Sequence, residues 1–294
     1  MASAPLIAIA VVAIGVLAWL IGAPLWRARR RTAVMARPLP PSALAAIDRN
    51  VPAVRHLPPG LRARLESLMA VFIAEKAFIG CNGLVVTDEM RATIAAMACV
   101  LVLGRRGHYD QLHSVLVYPT PFWVEDEVED EAGVVEKRRR VLSGEAWESS
   151  RIILSWEDVL EAARHPGEGY NVALHEFAHY LDAEGLGLGA GERTVAEWAD
   201  DLAAEFEALL DAVDRGECMF LDPYAAEDEA EFFAVATEDF FERPVELRDA
   251  HPRLYELLQE FYALDPAGWV GRSAITAAPS PERKGPGPHS RGTP

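Results

Sequence analysis

The segment His175-Glu-Phe-Ala-His179 constrains this chain more than any other. Two histidines four residues apart share a face only on an α-helix, at about 3.6 residues per turn. A metal ion held by both needs a third protein ligand from elsewhere in the chain. The segment therefore demands a helix and a distant element folded back onto it. Its flanks suit a helix: Gly167 and Gly169 precede it, Asn171 can act as N-cap, and Gly185 follows as a stop. Leu174, Phe177, Ala178 and Leu181 supply an apolar side for packing. Two imidazoles at this spacing bind tetrahedral Zn²⁺ and leave Glu176 beside the open position. The expected chemistry is hydrolysis of peptide bonds by a water that the ion acidifies and Glu176 deprotonates as general base.

The third ligand must be a carboxylate. No histidine lies between His179 and His251, and His251 precedes a proline. A helix expected over Asp228–Phe241 offers Glu229, Glu231 and Glu238, with Glu242 just past its end. Glu231 and Glu238 are two turns apart and share a face. Phe232, Phe233 and Val235 make an unpaired carboxylate costly at Glu231, whereas Glu238 lies nearer the helix end. Periodicity alone leaves these candidates open. Asp182 follows the ligand face of the first helix and reads either as an orienting partner for a histidine or as a solvated helix-end carboxylate.

Residues 4–26 are almost wholly apolar, long enough to cross a bilayer, and are followed by Arg27, Arg29, Arg30 and Arg31. A secretory signal would carry its charge before the apolar run. The order here gives a single-pass anchor over residues 1–26 in the inner (cytoplasmic) membrane, with everything after the arginines in the cytoplasm. The proline-bearing residues 27–60 read as a juxtamembrane linker, 61–270 as the catalytic domain, and 271–294, rich in Pro, Gly, Ser and Arg, as a disordered tail.

Within the domain, helical periodicity runs from Leu61 to Ile73 and is broken at Ile79–Gly83. Thr87 caps a further helix with Ile94, Met97, Ala98, Leu101 and Val102 buried. Leu112–Tyr118 and Arg151–Trp156 read as strands, and the stretch Val115–Tyr118 is a candidate edge for pairing with an extended peptide. Glu125–Glu136 is an acidic block followed by Lys137–Arg140, expected to form a solvated loop or hairpin. Helices are also expected at Trp156–Arg164, from the capping box at Thr194 to Val213, and around Leu254–Tyr262. The net charge of −17 argues against a nucleic-acid partner. Cys81, Cys99 and Cys218 form neither a disulfide framework nor a paired zinc motif. The fold class is α+β: a mainly helical, zincin-like metallopeptidase domain with a small β-sheet, preceded by one transmembrane helix.

Several blocks carry a resemblance. Phe72-Ile-Ala-Glu-Lys76, Gly83–Arg91, Val115-Leu-Val-Tyr-Pro119, Leu142–Trp147, His175–His179 with Leu181-Asp182, and Asp222-Pro-Tyr224 with Glu231–Val235 occur in that order. In these the chain resembles the Mlc titration factor A family of zinc-dependent peptidases, itself similar to the catalytic domain of anthrax lethal factor. The resemblance implies that Glu231 is the third zinc ligand. It also implies that Tyr224, seven residues earlier, points at the site, where its hydroxyl would stabilise an oxyanion. It implies aminopeptidase-type or limited, regulatory peptide cleavage, and a transcriptional regulator of the Mlc type as one partner. The apolar segment, the acidic block and the tail depart from the family pattern. The alternative function, from another class, is a membrane-tethered binding module for such a regulator with a non-catalytic zinc.

Overall fold

A computed structural model of the chain describes residues 3–105, 107–129, 135–142, 144–145, 150–183 and 194–269. Gly185 and the tail 271–294 lie outside them. The first helix, α1 (Ser3–Met35), does not stop at the arginines. Its 33 residues span about 50 Å, against about 30 Å for a bilayer core. The stretch Val12–Met35 is long and apolar enough to cross a membrane, and none of the apolar window within it is buried. Beyond that, α1 docks. Arg31 forks onto Glu75 at 2.9 and 2.7 Å and also reaches Asp110 at 2.5 Å, while Met35 packs on the core.

The expected linker is a folded part of the body, and that expectation is corrected. Helix α2 (Pro41–Asn50) buries Ala43, Ala46, Ile47 and Asn50, one stripe at helical spacing. Pro41 stands in the first turn, where its missing N–H costs nothing. A 3-10 turn (Pro52–His56) then leads into α3 (Pro59–Glu75). Ile47 is fully buried. Ile47→Ala is expected to destabilise the full chain in detergent by about 2–5 kcal/mol in urea unfolding; in a loose linker the change would stay within about 0.5 kcal/mol.

Strand β1 (Ala77–Gly80) follows α3, and α4 (Asp88–Leu101) starts on the Thr87 cap, whose hydroxyl accepts from Met90 N at 3.2 Å. Next come β2 (Ser114–Tyr118), the antiparallel hairpin β3 (Phe122–Glu129) and β4 (Val135–Leu142), the two-residue β5 (Gly144–Glu145), and β6 (Arg151–Ser155). The main sheet has the order β1-β2-β6-β5, parallel except for β5. Strand β2 is therefore interior, paired on both sides, and has no edge to offer a peptide. Its run of apolar residues suits a strand covered on both faces. Glu125–Glu129 of the acidic block lie on β3, in register with the basic run on β4: Glu125 opposes Arg139, Asp126 opposes Arg138 and Glu127 opposes Lys137.

The remaining helices are α5 (Trp156–Arg164), α6 (Val172–Ala183), α7 (Val195–Asp214), α8 (Glu229–Glu242), α9 (Pro244–Ala250) and α10 (Pro252–Tyr262). The described body is thus mainly helical around a small sheet, as the fold class requires. Helix α6 is held at the centre, against β6, α4 and α8. Its apolar side is aromatic: Phe177 packs edge-on to Phe72 and Tyr109 at 5.9 and 5.4 Å between ring centres, and Tyr180 meets Tyr109 at 5.5 Å. This buried face turns the opposite side of α6 outward, toward α8.

Candidate metal centre

Asn171 caps α6 as expected, its Oδ1 accepting from Leu174 N at 3.1 Å. One turn further on His175 and His179 share a face, with Nε2 atoms 3.1 Å apart. Helix α8 is capped by Asp228, whose carboxylate accepts from Glu231 N at 2.9 Å. That cap sets Glu231 in the first turn of α8, facing the histidines. Glu231 Oε2 lies 3.0 Å from His175 Nε2 and 3.3 Å from His179 Nε2. Among the described residues these three form the one group able to hold a metal ion.

The triangle fits such an ion. Bonds of about 2.0–2.2 Å in a tetrahedron set ligand atoms about 3.3–3.5 Å apart. The observed edges are 3.0, 3.1 and 3.3 Å, two of them a few tenths of an ångström shorter, so small outward movements suffice. Charge tells the same story. Glu231 Oε2 is buried without a hydrogen bond of good geometry. It faces two ring nitrogens that also face each other, and a cation at the centre satisfies all three. Burial would lower the His175 imidazolium, but the carboxylates of Glu231 and Glu238 outweigh it and raise it to about 10. Burial would raise Glu231, yet the two imidazoles hold it well below the ordinary carboxylate range. The cluster is built to attract positive charge.

Glu238, the rival ligand of the sequence reading, is on the far side of His175. Its Oε1 lies 2.8 Å from Nδ1, and its other oxygen accepts from Asn171 N. A buried carboxylate on Nδ1 fixes the tautomer, so Nε2 presents its lone pair to the ion. Glu229 does not join the ligand group. Glu242 accepts from Asn171 Nδ2 at 2.9 Å and from Gly167 N at 3.1 Å. Asp182 occupies the last turn of α6; its carboxyl is raised, chiefly by desolvation, while the charge of His179 pulls it back.

Glu176 is buried beside the ligand face, near enough for its charge to act on His175. Tyr224 stands in a 3-10 turn (Pro223–Ala226) that packs on α8. Asp222 accepts from its backbone N–H at 3.0 Å. Its ring is 6.1 Å from that of His175, and the residue is nearly half exposed. The contacts of Glu238 with His175 and of Glu242 with Asn171 were missed from sequence. The spacing of the two glutamates from Glu231, seven and eleven residues on, was the available signal.

Comparison with known proteins agrees. A sequence model described as glucose-regulated metallo-peptidase M90 matches residues 25–263. The protein slr2042 of Synechocystis sp. is 37% identical over 263 residues, covering 86% of this chain and 94% of that protein. Proteins named Mlc titration factor A, from Klebsiella pneumoniae and Pectobacterium atrosepticum, are 37% and 36% identical over 224 and 225 residues. Each match covers 74% of this chain and 84% of the relative.

Proposed function

Because the chain belongs to the glucose-regulated metallo-peptidase M90 family, the family of Mlc titration factor A, we propose that it is a zinc-dependent peptidase with one centre, built from α6 and α8. The observation that carries this reading is the convergence of His175 Nε2, His179 Nε2 and Glu231 Oε2 at 3.0–3.3 Å. These three atoms would hold the ion, and Glu238 would keep His175 in the required tautomer. Zn²⁺ suits a His/His/carboxylate set, and when bound it supplies a Lewis acid that lowers the pKa of a water to about 7. Glu176 takes the proton from the attacking water and hands it to the leaving amine nitrogen. Tyr224 donates a hydrogen bond to the carbonyl oxygen as negative charge gathers there. Its exposure leaves it accessible to a peptide arriving from solvent.

The anchor belongs to the same proposal. Trp19, Leu20 and Trp26 on α1 are more than half exposed, which a lipid environment would relieve. Arg27, Arg29 and Arg30 are exposed just beyond, consistent with a single pass through the inner membrane and a cytoplasmic catalytic domain. The substrate is a peptide or protein. The relatives' name favours a regulator of the Mlc type as substrate or partner, and it also supports a second reading, a tethered binding module with a non-catalytic metal. Turnover of a peptide mixture by the full chain in detergent separates the two. A chelator is expected to reduce hydrolysis to background and added Zn²⁺ to restore it. Hydrolysis that persists at full rate without metal, or none with metal restored, rejects the peptidase reading.

A further inference from the structure

Three carboxylates of α8 stand in one stripe, yet only Glu231 reaches the Nε2 atoms of His175 and His179. Glu238 and Glu242 follow it by seven and eleven residues, about 20° to either side at ~100° per residue. The stripe meets α6 in reverse order. Glu242 binds Gly167 and Asn171, Glu238 binds Asn171 and His175, and Glu231 lies on His175 and His179. The two helices therefore run antiparallel along this seam, with the ion site at one end and Glu242 at the other.

Asn171 is fully committed at that far end. Its Oδ1 accepts from Leu174 N, its Nδ2 donates to Glu242 Oε1 at 2.9 Å, and its carbonyl accepts from His175 N at 2.9 Å. The amide cannot flip without losing both side-chain bonds. Gly169 lets the lead-in loop press against α8: at its φ of +75°, an added Cβ would meet Asp239 Oδ1 at 2.1 Å. That Asp239 is itself paired with Arg243. Apolar contacts would hold two helices together at lower desolvation cost, but they are non-directional and tolerate sliding. Hydrogen bonds fix a distance to a few tenths of an ångström, which is the tolerance a metal site demands.

We propose that Glu242 and Asn171 are positioning residues whose hydrogen bond sets the axial register of α6 on α8, and so decides whether Glu231 Oε2 meets both imidazole Nε2 atoms. The inference rests on the metal-dependent reading of the site. Neither residue touches the ion or the substrate.

The test exchanges donor and acceptor. Glu242→Gln leaves one acceptor oxygen for two donors, Asn171 Nδ2 and Gly167 N, so its new amide NH2 must face one of them and the pair of bonds cannot both survive. Asn171→Asp keeps the N-cap but faces one carboxylate with another. The double variant restores the bond with its polarity reversed: the new amide at 242 donates to the new carboxylate at 171 and still accepts from Gly167 N. Zinc affinity by competition, and the visible spectrum of the Co²⁺-loaded protein, are read on the full chain in detergent. Each single variant is expected to bind zinc about 10–100-fold more weakly and to perturb the Co²⁺ bands. The double variant should return to within about threefold of wild type. Unchanged affinity in both singles, or a double no tighter than the weaker single, overturns the proposal. If a single variant fails to fold, the double decides: wild-type affinity supports the register role and failure refutes it. A wild-type chain that binds no zinc removes the metal reading itself, and this proposal with it.

Discussion

Glu176→Gln is expected to leave the full chain folded and loaded with zinc but to slow peptide hydrolysis by roughly 10²–10⁴-fold. Gln has the shape of Glu and fits the same buried space on α6, but it cannot take a proton from water. The loss falls on kcat, because proton transfer is made only in the transition state; it corresponds to about 3–5.5 kcal/mol of barrier. Metal content stays at the wild-type level, since the three atoms that converge belong to His175, His179 and Glu231. Peptide assays of the metal-loaded variant, with zinc measured on the same sample, check both halves. Activity equal to wild type would remove Glu176 from the mechanism. Loss of zinc alongside activity would make it a structural residue.

The half of the candidate site on α6 was legible because the chemistry proposed for it requires local spacing. His175, Glu176 and His179 lie within five residues, and Asn171 gave the cap that fixes where the helix begins. The half on α8 was not legible from periodicity. Glu229, Glu231, Glu238 and Glu242 are all carboxylates on one helix, and spacing within α8 does not say how far α8 slides along α6. Resemblance singled out Glu231, and the register supplies the physical reason. Asp228 caps α8 so that Glu231 opens it, and Glu238 and Glu242 tie its later turns to Asn171.

The fold misled where prolines and short strands outweighed periodicity. Pro38, Pro40 and Pro41 made residues 27–60 look like a linker. Yet Pro41 sits in the first turn of α2, and Ala43, Ala46, Ile47 and Asn50 are a regular helical stripe. Strand β1 is four residues long, with Ile79 exposed and a turn at Asn82-Gly83 directly after it, both residues at positive φ. So short a strand earns its place only by pairing with β2, which no local signal reports. The hairpin was only half readable: the charge runs left a loop or a hairpin open, and it is the structure that pairs the acidic residues of β3 with the basic run of β4.

Glu231→Ala should cost more zinc affinity than any other single carboxylate removal, and comparison with Glu238→Ala distinguishes a ligand from its support. If three protein ligands share about 10–16 kcal/mol of binding, losing one costs about 3–5 kcal/mol, or roughly 10²–10⁴-fold. Glu238 touches the cluster through the outer nitrogen of His175, besides accepting from Asn171 N, and removing such a partner weakens binding about 10–100-fold. The effects should differ in kind as well. Glu231→Ala leaves two imidazoles whose Nε2 atoms still face each other, with no negative charge at the third corner. Glu238→Ala keeps that charge and loosens the ring of His175. Zinc titration of both variants beside wild type reads the difference, and peptide hydrolysis under saturating zinc should recover in Glu238→Ala but not in Glu231→Ala. The reverse ranking would move the third ligand from the first turn of α8 to its third, and the seam between α6 and α8 would have to be redrawn around it.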